Sequence, residues 1–247
     1  MNQYTIPAYI LPSEHFIGEL RAVELRFNPH HDEKGRFCSG NGLDKSHKSG
    51  IIKSGSENVA LEYQRYGRNK NTIVNKTYIE SGEYRRKFDK LTDNSEINRK
   101  IYIKAKEALI HRSGTELEDM FWFDSTSGML IAQETNSTAK RSITYSDKTR
   151  SVVERNNNLI ALHTHPSSMP PSAADFNSCF RNNYKIGYIA CHNGRLFAYT
   201  SNQEISEMLY ELYISESIAS GLSEYDAQLN SLNKIKENHD IDFWEVL

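Results

Sequence analysis

The segment Leu159–Asp175, LIALHTHPSSMPPSAAD, gathers side chains whose types and spacing can bind a metal ion. Leu159 to Leu162 is an apolar run of strand length, and it delivers His163 and His165. Alternate residues of a strand share a face, so both imidazoles reach one point. Pro166 ends strand pairing, and Ser172-Ala-Ala-Asp175 is a helix-start pattern with Ser172 as N-cap and Asp175 in the first turn. A carboxylate is thereby fixed beside a helix end. Two histidines and a carboxylate with one position left open form the ligand set of a catalytic zinc site, whose remaining place holds water. Taken singly, H-x-H on a strand is commonly structural and S-x-x-D is commonly only a cap. Their conjunction points to Zn2+ on His163, His165 and Asp175.

His163-Thr164-His165-Pro166, Ser172 and Asp175 together resemble the JAMM (MPN-plus, JAB1/MPN/Mov34) metalloprotease motif, H-x-H-P followed by serine, two residues and aspartate. The spacing from His165 to Asp175 is the one that family uses. RadC-like proteins carry a related motif with one more residue between the second histidine and the aspartate. Ser167 and Pro171-Ser172 are shared with that side, Thr164 and the shorter loop with the JAMM side.

The JAMM resemblance covers about residues 93–215 and implies an α+β fold, a curved mixed sheet flanked by helices. It also implies amide hydrolysis, because zinc lowers the pKa of a bound water to about 7 and polarises a carbonyl. By the same resemblance His163, His165 and Asp175 hold the metal and Ser172 donates to the developing oxyanion. A glutamate at the start of the strand after the first helix moves the proton. Gly114-Thr-Glu116-Leu-Glu118-Asp119-Met-Phe-Trp occupies that place, and Glu116 and Glu118 share strand parity. Glu118 adjoins the apolar run Met120–Phe123 and is taken as the base; Glu107 on the helix and Glu134 at the far end of the hairpin are poorer candidates. The family's substrates are peptide or isopeptide bonds, so the implied partner is a ubiquitin-like conjugate or a fused polyprotein. Two other classes stay open: a non-catalytic JAMM-fold binding module of a phage or mobile-element particle, and a RadC-like DNA-associated protein. A thiol site using Cys179 or Cys191 with His192 lacks any activating arrangement in the sequence.

The elements that must position these residues follow from periodicity and punctuation. Ile97, Ile101, Ala105, Ala108 and Leu109 recur at helical spacing from Asp93 or Ser95, and Gly114 closes the helix. Leu117–Phe123 and Met129–Glu134 read as a hairpin about Asp124–Gly128, Arg141–Tyr145 as a strand, and Asp147–Asn156 as a helix. After the histidine strand come a helix over 172–182 and a hairpin, Lys185–His192 with Arg195–Tyr199, about Asn193-Gly194. Ile205, Met208, Leu209 and Leu212 mark a further helix, and Tyr225, Leu229 and Leu232 the last.

Upstream, Asn28 to Gly55 is dense in turn formers and then in Gly, Ser and Lys. This divides the chain into an appendage and linker at 1–55, a connecting segment at 56–92, the metalloprotease-like domain at 93–215 and an acidic helix and tail at 216–247. Candidate short elements fall at Val59–Tyr66 and Thr72–Ile79. His30-His31-Asp32 are loop neighbours that converge poorly on a metal. Phe27–Phe37 resembles a short segment of phage minor capsid and head-morphogenesis proteins.

Composition sets the outer bounds. The net charge of −2 calls for neither nucleic acid nor membrane, although basic residues outnumber acidic ones about two to one between Lys34 and Lys106, which leaves a nucleic-acid contact open. After Ser201 only Lys234 and Lys236 oppose a series of acidic residues. Three unevenly spaced cysteines fit a reducing compartment, and no leader or membrane-length apolar run is visible, so a soluble, cytoplasmic protein is expected.

Overall fold

The computed structural model describes residues 72–247. The predicted appendage, the His30-His31-Asp32 cluster and the Val59–Tyr66 element lie outside the described residues. Within them the fold is α+β: a six-stranded mixed sheet of order β2-β1-β3-β4-β5-β6, flanked by helices. The strands are β1 Met120–Asp124, β2 Leu130–Glu134, β3 Leu159–His165, β4 Tyr184–Cys191, β5 Leu196–Ser201 and β6 Ile241–Glu245. The helices are α1 Lys76–Ile79, α2 Gly82–Arg86, α3 Ser95–Arg112, α4 Asp147–Glu154, α5 Ala173–Arg181, α6 Glu207–Ala219 and α7 Glu224–Lys236. Only β3 and β4 pair in parallel, joined through α5; the other neighbours are antiparallel.

Strand alternation sorts the central residues onto two faces, each covered by helices. One face carries Met120, Trp122, Ala161, Ile189, Phe197 and Tyr199, and packs against Phe176 of α5, Tyr210 and Ile214 of α6 and Leu232 of α7. The other carries Phe121, Phe123, Ile160, Leu162, Tyr188 and Ala198. It receives the stripe Ile97, Ile101, Ala105 and Leu109 of α3 together with Tyr84 of α2 and Phe88. A sheet buried on both faces needs near-continuous apolar strands, which Leu159–Leu162 and Tyr188–Cys191 supply. The buried Trp122 satisfies its indole N–H on the Tyr184 hydroxyl at 2.8 Å.

Helix termini fall where the side chains dictate. Asn94 caps α3 by accepting from the N–H groups of Glu96 and Ile97, and Gly114, at φ 79°, turns the chain after it. Gly187 meets a different constraint: a Cβ there would lie 2.1 Å from the Tyr199 ring, which crosses over it from β5.

Three expectations are corrected. Arg141–Tyr145 is not a strand, because Arg141 takes φ 54° and only an isolated bridge, Leu117 with Lys140, forms there. Ile143 and Tyr145 instead pack on the core as loop residues. A boundary at 215 falls inside α6, and β6, read as tail, pairs with β5 along Phe197–Ser201. The boundary at 92 likewise divides one core, since Tyr84 and Phe88 stack with Tyr102 of α3 at ring separations of 6.3 and 5.4 Å. Among the described residues no helix is long and apolar enough to cross a membrane.

Candidate metal centre

The site forms where β3 ends. His163 and His165 lie on the α5 face of the sheet, since they continue the parity of Leu159 and Ala161. Ser172 begins α5 as its N-cap in a reciprocal capping box with Asp175, which aims that carboxylate back at the strand. His163 Nε2 stands 3.0 Å from His165 Nε2 and 3.1 Å from Asp175 Oδ1, and His165 Nε2 stands 3.6 Å from Asp175 Oδ2. Among the described residues these three are the one group of histidine, cysteine or acidic side chains placed to share a metal, with one donor atom from each within 4.8 Å of the others.

The donor chemistry fits a cation. His165 Nδ1–H donates to the Met169 carbonyl at 3.0 Å, which leaves Nε2 with its lone pair toward the cluster. Two ring nitrogens and a carboxylate in mutual contact attract a proton or a cation among them. Tetrahedral zinc with bonds of about 2.0–2.1 Å requires ligand atoms separated by about 3.3 Å; His163 Nε2 lies near that distance from His165 Nε2 (3.0 Å) and Asp175 Oδ1 (3.1 Å), whereas His165 approaches the other carboxylate oxygen, Oδ2, at 3.6 Å.

Asp175 is doubly held on one oxygen: the Ser172 N–H donates to Oδ2 at 2.7 Å and the Ser172 hydroxyl at 2.8 Å. Burial alone would raise its pKa. The neighbouring His163, then His165 and the Ser172 N–H, outweigh burial and hold the carboxyl well below the usual carboxylate range. The hydroxyl predicted to serve an oxyanion thus places its one proton on the Asp175 carboxylate.

No family model, curated protein or solved structure matches this chain.

The two competing glutamates are separated by their surroundings. Glu116 is half-buried and pairs with Lys140 at 2.7 Å and Arg141 at 2.6 Å, which lower its pKa. Glu118 is buried, 7% exposed, with the parity of Met120 and Trp122, the metal face. Met120 pairs with His163, so the same register sets Glu118 opposite His165. Burial, opposed by the nearby His165 and reinforced by Asp175, pushes the Glu118 carboxyl up to about 7. That is where a group must titrate to take and give a proton near neutral pH.

The other expected participants are elsewhere. Glu107 pairs with Lys104 on the exposed side of α3, and Glu134 binds the Ser146 N–H and hydroxyl at the start of α4. Cys179 and Cys191 are buried free thiols, and burial raises both pKa values, which opposes a thiolate nucleophile. Sequence reasoning missed two supports. One is the Met169 carbonyl, whose place depends on Ser168 at φ 58°. The other is Asp119, which follows Glu118 in the chain and is held by Arg112 and His111; the sequence signal was a second acid at the head of the apolar run Met120–Phe123, downstream of a helix-terminal His-Arg pair.

Proposed function

We propose that the protein is a zinc-dependent hydrolase of JAMM type that cleaves a peptide or isopeptide bond in a protein substrate. One observation carries this reading. The motif residues His163, His165 and Asp175 converge within bonding reach of one ion, and Glu118 lies on the same sheet face with its carboxyl near neutrality. A mixed sheet flanked by helices, with α3 preceding β1, supports that reading.

A zinc ion held by His163, His165 and Asp175 would supply a Lewis acid able to activate water near neutral pH. The chain's own groups do the rest. Glu118 takes a proton from the attacking water and delivers it to the leaving amine, so its Oε atoms alternate between acceptor and donor. Ser172 and the first turn of α5 orient Asp175. The Ser172 hydroxyl becomes a donor to substrate when it releases Oδ2. Tyr199 lies edge-on to the His163 ring at 6.2 Å, on the core side of the cluster.

Metal analysis of the purified full chain, followed by cleavage of fluorogenic peptide amides and an isopeptide-linked ubiquitin-like dimer, tests the reading. One zinc per chain and chelator-sensitive cleavage are expected. A protein that takes up no zinc, or that cleaves equally well after chelation, would refute it.

A further inference from the structure

The β1 ladder becomes regular only at Met120, so the residues that carry Glu118 into the site need another anchor. Asp119 provides it from the opposite face. Its carboxylate is 1% exposed and accepts from Arg112 Nε at 2.5 Å and from the His111 ring at 2.7 Å. Arg112 also donates to the Thr135 carbonyl at 2.6 Å, so the same guanidinium ties down the chain just past β2. Toward β3, Thr164 N–H donates to the Asp119 carbonyl at 3.1 Å, as in a ladder. The Asp119 N–H departs from ladder pattern and donates to the Thr164 hydroxyl oxygen at 3.1 Å.

Each member of this clamp is the chain neighbour of a site residue. Asp119 follows Glu118, and Thr164 separates His163 from His165. Side chains alternate across a strand, so fixing Asp119 on the α3 face obliges Glu118 to face the metal ligands. An apolar residue would fill the place of Asp119 without the cost of burying an ion pair. Stability alone therefore does not account for the charges, whereas the fixed geometry of charge-assisted hydrogen bonds does.

We propose that Asp119, gripped by Arg112, His111 and Thr164, is a positioning residue that holds Glu118 against the metal cluster; this rests on the hydrolase reading above. The test is a double-mutant cycle on the zinc-loaded full chain with Asp119→Asn, Glu118→Gln and the pair. Turnover of the peptide or isopeptide probe is read beside the visible spectrum of cobalt-substituted protein. Asp119→Asn is expected to keep one metal per chain and its KM, and to lose about 10- to 100-fold in kcat, as removal of outer-shell partners does. In the Glu118→Gln background it should cost nothing further, because a residue acting through Glu118 has nothing left to position. Its cobalt spectrum should move toward that of Glu118→Gln. Thr164→Val should reproduce the loss and Thr164→Ser recover most of it.

If Asp119→Asn does not yield folded protein, His111→Ala reads the same coupling, since its side chain is 54% exposed and tolerates truncation. Where no probe is turned over, the spectral comparison decides. Wild-type kcat and spectrum in the Asp119 and His111 variants, or an equal loss without Glu118, overturns the proposal and leaves the metal reading standing. A wild type that takes up no cobalt overturns both.

Discussion

The two faces of the sheet where β3 ends are built from alternate residues of the same strands, yet they treat polar groups in opposite ways. On the α3 side the buried Asp119 carboxylate has a partner on each oxygen. On the α5 side His163, His165 and Asp175 crowd together, His163 Nδ1 has no hydrogen-bond partner, and Glu118 is buried at the cost of its charge. Buried polar groups are normally satisfied, so the contrast separates a support from a working surface. The support can be rigid because both carboxylate oxygens, the N–H and the carbonyl of Asp119 each have a partner. On the hydrolase reading proposed above, a bound ion and a mobile proton would supply the positive charge that the other surface is short of.

The sharpest way to break this comparison is to remove the ligands. His163→Ala and Asp175→Ala should each abolish stoichiometric zinc and reduce hydrolysis to background while folding is retained. Elemental analysis beside circular dichroism checks it. Zinc undiminished in both variants would move the site elsewhere.

Next in size is the support. Arg112→Ala leaves Asp119 buried without its strongest partner and should cost about 3–5 kcal/mol of unfolding free energy. Urea denaturation measures it, and a loss under 1 kcal/mol would show that Asp119 protonates or rehydrates cheaply and that this face is no more rigid than the other.

The histidine strand, the helix behind it and the hairpin at Asn193-Gly194 were legible in the sequence because each rests on short-range signals: an apolar run, a capping box, a turn dipeptide. The convergence of His163, His165 and Asp175 was legible for the same reason, since strand parity and helix start bring the residues together locally. What escaped depended on partners distant in sequence. Ile241 and Phe243 do alternate, but their strand identity comes from pairing with β5, and a five-residue run at an acidic end competes poorly as a signal. Arg141–Tyr145 carried strand-forming residues and lost to a left-handed Arg141 and to burial of its aromatic ring. The Arg112–Asp119 pair joins a helix end to a strand entrance, and no periodicity announces an ion pair. Glu116 and Glu118 could not be separated by alternation; only Lys140 and Arg141, more than twenty residues on, distinguish them.

The pH dependence of the metal-free protein sharpens the contrast further. Glu118 ionises near its ordinary 4.5 when unfolded but only at about 7 when folded. Between these values the native state binds more protons than the unfolded one, so stability falls as pH rises through the window. The full difference is on the order of 3 kcal/mol, present below 4.5 and lost above 7. Asp175, held low, loses its own contribution only in more acid solution, outside this window. Glu118→Gln should flatten the wild-type slope between pH 4.5 and 7 in chelated samples. An unchanged slope would mean that Glu118 is solvated.

The smallest effect expected is that of Glu116→Gln, and it bears most directly on which carboxylate is which. Glu116 and Glu118 are two residues apart and chemically identical, so a substitution series at the two positions isolates environment from residue type. Glu116 makes ion pairs with Lys140 and Arg141 in partial contact with solvent, and such pairs contribute about 0–1 kcal/mol. Its low pKa keeps it ionised across the neutral range, where it cannot return a proton to a leaving amine. Glu116→Gln should therefore leave zinc content and kcat unchanged and move the unfolding midpoint only slightly. Glu118→Gln should keep zinc and lower kcat by about 100- to 10,000-fold. Reversed behaviour in the turnover assay would transfer the proton to Glu116 and require the loop at Arg141 to open. Full activity in both variants would leave a metal site without a glutamate base and remove the reason for burying Glu118.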